Sequence, residues 1–176
     1  MHPLPMHQNA MPAAEAAMAA AAQGKFLEMH RKLFENQQQL TREKFLSLAT
    51  ELGLDVDRFT KDLDSHTYAA AIQKDAKEAE DIGASGTPAS FVNGRFLNGA
   101  KPYASFKELI DEELAWAKAG NRPEFKTAKN VSEASAKPAA AAGPDPNKVY
   151  DIAAGDAPSR GPDKAKVTIL HYYDYQ

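Results

Sequence analysis

The sequence predicts a mixed α/β fold, with a helical first half, one β-hairpin, a helix after it and a strand close to the C-terminus. Three observations carry that expectation. Apolar residues recur at helical spacing as far as Ile82, punctuated by Gly24, Gly53 and Gly83. The stretch from Gly83 to Gly99, GASGTPASFVNGRFLNG, then places an X-Pro bond, a short apolar run, Asn93-Gly94 and a returning run in succession. Asn-Gly between two such runs is a strong hairpin signal, because both central residues of a type I′ turn need positive φ. Finally, Lys166 to Tyr173 is rich in β-branched and aromatic residues and is the strongest strand candidate in the chain.

In chain order, residues 2–9 hold two prolines and two histidines in an extended or turning lead-in. Asn9 is placed to cap a first helix, with Pro12 in its first turn, where a missing N–H costs little. Ala13 to Ala22 has the highest helix propensity of the sequence, and Gly24 stops it. Lys25 to Asn36 carries Phe26, Met29, Leu33 and Phe34 on one face. Thr41 caps a third helix through Phe45, Leu48, Ala49 and Leu52, and Asp55 opens a short fourth with Val56, Phe59 and Leu63. Ser65 or Thr67 is expected to cap a fifth, running to about Ile82 with Tyr68, Ile72, Ala76 and Ala79 inside.

After the hairpin, Pro102 and Gly120 bracket a helix whose packed face is expected to be Phe106, Leu109, Ile110, Leu114 and Trp116. Residues 121–147 are poor in large apolar side chains and rich in alanine and proline, the composition of a linker. Val149 to Ile152 is a weak strand candidate.

Composition narrows the function. A net charge of −3 with no basic cluster argues against nucleic acid. No run approaches the roughly 18 apolar residues of a membrane span. Met1 to His7 has neither a basic n-region nor a long apolar h-region, so no signal peptide is visible in this chain. There is no cysteine, which removes disulfides, thiol catalysis and thiolate metal sites. His2, His7, His30, His66 and His171 show no ligand-pair spacing on one helix, so neither a metal nor another cofactor is expected. Tyr172, Tyr173 and Tyr175 read as strand residues facing a core.

Several motifs resemble the DsbA-like thiol–disulfide oxidoreductases. Met11-Pro12-Ala13-Ala14-Glu15-Ala16-Ala17, Gly24 to His30 and Leu33 to Gln37 are similar to that family's helical insert. Gly86-Thr87-Pro88-Ala89-Ser90-Phe91-Val92-Asn93-Gly94 looks like its cis-proline loop and hairpin, and Gly99 to Tyr103 with the following helix fit as well. The resemblance covers about residues 3–119. Gly161 to Gln176 is similar to a different part of the family, the opening strand that runs into a catalytic Cys-x-x-Cys.

The resemblance implies a thioredoxin-like α/β fold with a helical insertion, incomplete or circularly permuted. On this reading residues 1–120 are the C-terminal part of one domain and residues 121–147 a linker. Residues 148–176 are then either the opening strands of a second domain or a permuted strand completing the first. It implies that residues 167–172 pair antiparallel with residues 89–93, within one chain or between chains. It also implies that Thr87 and Pro88 form a substrate-binding lip for thiol- or disulfide-containing proteins, in a periplasmic or secreted setting. The exchange itself needs a low-pKa thiolate and a resolving thiol. With neither present, this chain alone is expected to be inactive, and a non-catalytic peptide-binding or scaffold module is the alternative. A missing neighbouring strand would leave an open sheet edge through which copies could pair.

Overall fold

The computed structural model describes residues 1–123, 126–128, 148–152, 157–162 and 164–176. These form two compact units, Met1–Ala76 with Tyr173–Gln176, and Lys77–Tyr172.

The first unit is helical. It contains α1 (Ala10–Ala21), α2 (Phe26–Glu35), a 3₁₀ turn (Gln37–Gln39), α3 (Arg42–Glu51) and α4 (Val56–Asp64), and it takes in the start of α5 (Ala69–Asp81). Ala13, Ala16, Ala17, Ala19 and Ala20 are all fully buried, so α1 is enclosed on nearly every side. Methyl-sized side chains allow the neighbouring helices to approach closely. The larger residues packed with them are Met29, Leu33, Phe45, Leu48, Phe59 and Leu63. Each buried Leu or Phe of this kind contributes about 1.5–3 kcal/mol.

The caps expected at α3 and α4 are present. Thr41 Oγ1 accepts from Lys44 N at 3.3 Å, and Asp55 Oδ1 accepts from Arg58 N at 3.0 Å. Two others differ. Asn9 sits at the N-cap of α1 but its side chain makes no cap bond. Ser65 and Thr67 do not cap α5. Ser65 Oγ donates back to Lys61 O at 2.8 Å, and Thr67 Oγ1 donates to Asp62 Oδ1 at 3.4 Å. Both hydroxyls are therefore committed to the end of α4, and the chain turns there through His66 at φ 51°.

The second unit holds the sheet. Its strands are β1 (Ala89–Val92), β2 (Arg95–Asn98), β3 (Lys126–Ala128), β4 (Lys148–Tyr150) and β5 (Ile169–Tyr172), in the order β3-β4-β2-β1-β5. The hairpin register pairs Ala89 with Asn98 and Val92 with Arg95. β5 lies antiparallel to β1, with Ala89 opposite Tyr172 and Val92 opposite Ile169. That is the ladder the sequence reading expects between residues 167–172 and 89–93. β4 is antiparallel to β2, and β3 is parallel to β4.

β3 falls within the stretch read as linker, a difference from expectation. The rest of that stretch lies outside the described residues, apart from Asn121 to Pro123. Phe91, Phe96, Tyr150 and Tyr172 form the aromatic centre of the core, with Phe91 within 5.1–6.2 Å of the other three rings. Ala79 from α5 joins them.

The helix α6 (Tyr103–Ala119) also departs from expectation. Phe106, Leu109, Ile110, Leu114 and Trp116 are only half-buried. Its one fully buried side chain is a carboxylate, Glu113, at 1% exposure.

Candidate functional site

The loop between α5 and β1 is anchored at one end and open in its middle. Ala84 is buried and its N–H donates to Ala79 O at 2.8 Å, which ties the loop to the last turn of α5. Ser85 and Gly86 are exposed, and Thr87 and Pro88 are half-buried. The Thr87–Pro88 peptide bond is cis. Ala89 to Val92 then runs fully buried between β2 and β5, so the loop is carried on a strand paired on both sides.

The far end of the hairpin is held by a polar clasp. Asn93 and Gly94 both take positive φ, 46° and 82°, as the turn type requires. Asn93 Nδ2 donates to Glu113 Oε2 at 2.9 Å, and Asn93 Oδ1 accepts from Thr168 N at 2.8 Å. Asn93 N donates to Thr168 O at 2.8 Å. One residue thus fastens the turn both to α6 and to the approach to β5. Glu113 is neutralised by Arg122, whose Nε lies 2.9 Å from Oε2, and by Arg95 at 3.5 Å. Arg95 also lies over the Trp116 ring, 5.0 Å from its centroid. Sequence reasoning missed Glu113. The available signal was an acidic residue seven positions after Phe106, in line with the apolar stripe of the helix.

In the helical unit, the C-terminal residues Tyr173–Gln176 are bound to several parts of the N-terminal half. The Asp174 side chain is wholly buried. Its Oδ2 accepts from Leu4 N at 2.7 Å and faces His7 Nδ1 at 2.8 Å, while Oδ1 accepts from Gln176 N at 3.1 Å. Tyr173 O accepts from His2 N, Tyr175 O from Gln37 Nε2, and Gln176 Oε1 from Asn9 N. The Tyr175 hydroxyl lies 3.1 Å from His30 Nδ1. Among the described residues no three His, Asp or Glu side chains come together as a metal site. The remaining histidines are local partners, His66 of the buried Glu15 and His171 of the buried Ser90 hydroxyl at 2.7 Å.

Burial pushes the Tyr173 hydroxyl up to about 12, reinforced by Asp75, and pushes Tyr175 well above the ordinary tyrosine value. Because the folded value exceeds the unfolded one of about 10, the stability that Tyr173 contributes is complete below pH 10. It is lost as pH rises through about 12. Late-appearing tyrosinate absorbance and loss of helical circular dichroism should therefore coincide in that interval. Tyr173→Phe should move the alkaline midpoint upward, and an unmoved midpoint would contradict the assignment.

Helical insert, hairpin and following helix together define a thioredoxin-like α/β protein. More specifically, residues 2–111 match the DSBA-like thioredoxin domain, and the chain belongs to that family. Among curated proteins it is 43% identical over 97 residues to a Na(+)/H(+) antiporter NhaA of Herminiimonas arsenicoxydans, a match covering 55% of this chain and 16% of that protein. It is 42% identical over 119 residues to Na(+)/H(+) antiporter NhaA 3 of Salinispora tropica, covering 68% of this chain and 18% of that protein. The chain thus spans less than a fifth of the length of these relatives. No solved structure matches it significantly.

Proposed function

We propose that this chain is the substrate-holding part of a DsbA-like thiol–disulfide oxidoreductase acting on proteins outside the cytoplasm. The observation that carries the reading is the half-buried position of Thr87 and Pro88 at the mouth of β1, inside the segment matched to the family. Thr87 offers backbone groups to an extended peptide at a half-buried, approachable point, with Pro88 as the fixed wall beside it. The chemistry of exchange needs two thiols, and the sequence has none. They would come from sequence outside these 176 residues.

The names of the relatives favour a second reading, in which the same lip serves a non-catalytic peptide-binding module carried by an ion-transport protein. Both readings are tested by titrating a cysteine-containing peptide into isotope-labelled protein while assaying insulin reduction. The amides of Thr87 and Ala89 should shift, with no insulin turnover. Turnover would overturn the assignment of the chemistry to absent thiols. An unperturbed loop would overturn the lip itself.

A further inference from the structure

We propose that Asp174 is a positioning residue that fixes the turn Tyr173–Gln176, and that His7 is its proton-dependent counter-charge. This rests on the reading above for its purpose only. Tyr172 is paired opposite Ala89, the residue after Pro88, so the turn continues the strand that flanks the proposed lip.

The argument starts from burial. A carboxylate taken wholly out of water is costly unless hydrogen-bonded and paired with a charge. Asp174 has the hydrogen bonds, two from backbone N–H groups and one from His7. The bond to Gln176 N closes a turn on the residue two positions ahead, a side-chain mimic of a backbone turn. The bond to Leu4 N joins that turn to the lead-in of α1. Its ion pair is with His7, which is partly open to solvent.

The Met1 ammonium is paired with Asp75, His30 with the Tyr175 hydroxyl, and the Tyr173 hydroxyl with that of Tyr175. Protonating His7 turns its contact into a charge-assisted bond, roughly twice as strong as a neutral one. Deprotonating it leaves a buried anion with neutral donors only. The turn is thus held more tightly when His7 is charged.

Hydrogen exchange of the Leu4 and Gln176 amides in the intact chain tests this, with rates corrected for intrinsic pH dependence. Protection should fall about tenfold as the imidazole loses its proton, the factor expected for about 1.4 kcal/mol of lost interaction. His7→Gln, which still donates but carries no charge, should show the lower, high-pH level of protection with a flat pH profile. Asp174→Ala should abolish protection of both amides while the β1–β5 ladder stays protected. A wild-type profile as flat as that of His7→Gln would overturn the proton dependence, and unchanged Gln176 protection in Asp174→Ala would overturn the positioning role. The peptide titration reads a different part of the molecule, so a failed lip and a failed turn are separable results.

Discussion

Replacing Glu113 with alanine should destabilise the sheet-bearing unit by about 3 kcal/mol. Removing one partner of a buried ion pair commonly costs about 3–5 kcal/mol, because the remaining charge is stranded. The low end applies here, since Arg122 is 39% exposed and can recover solvation by turning outward. Arg95 has less freedom, with its side chain 18% exposed and stacked on Trp116. Asn93 also loses the shorter of the two bonds from its Nδ2, keeping only that to Lys166 O at 3.2 Å, which loosens the turn and its hold on Thr168. The expected reading is a lower urea midpoint together with faster exchange at the Asn93 and Thr168 amides. Glu113→Gln keeps the size and one acceptor oxygen and should lose less. Equal losses for the two variants would show that the charge alone accounts for the effect and that the retained size and acceptor oxygen contribute nothing, and no loss in either would dismiss the clasp.

Gly94→Ala should be nearly as damaging, for a different reason. At φ 82° an L side chain is strained, a cost of about 1–3 kcal/mol. The added Cβ would also stand 2.3 Å from the carbonyl oxygen of Tyr150 and 2.8 Å from a methyl of Val149. The nearer atom is backbone, so the strand carrying it must move. Since Tyr150 N donates to Gly94 O, moving that strand breaks the bond between them. Strain and displacement together should amount to about 3 kcal/mol. Gly99 supplies the comparison, with φ 71° and open space around it. Gly99→Ala should show the backbone cost alone. If both variants lose the same stability in thermal melts, the close approach of Tyr150 is not a constraint.

What could be read from the sequence was largely what local chemistry decides. Thr41 and Asp55 cap their helices because the acceptor and the amide it serves are three residues apart. Asn93-Gly94 forms the turn because its φ values suit few other pairs. The pairing of β5 with β1 was reachable through the resemblance, and the register bears it out. Polar residues satisfied by distant partners were not legible. Nothing near Asp174 in the sequence announces Leu4 or His7, and nothing near Glu113 announces Asn93. Ser65 and Thr67 misled because a hydroxyl between two helices can serve either, and here both serve the earlier one. The residues of the proposed lip, Thr87 and Pro88, were visible as a motif, while the clasp and the C-terminal turn emerge only from the tertiary structure.

The order of strands also has a consequence for how the molecule is made. β1 and β2 are neighbours in sequence, but the strand on the other side of β1 is synthesised roughly seventy residues later. At roughly 5–20 residues per second, the hairpin waits about 4–15 s for that partner. During this interval the flank of β1 that β5 will occupy is an unfilled edge on a nascent chain. The helical unit likewise lacks Tyr175, one of its largest buried side chains, until residue 175 emerges. Neither unit is completed by its N-terminal residues alone, so both wait for residues 169–176 to reach them.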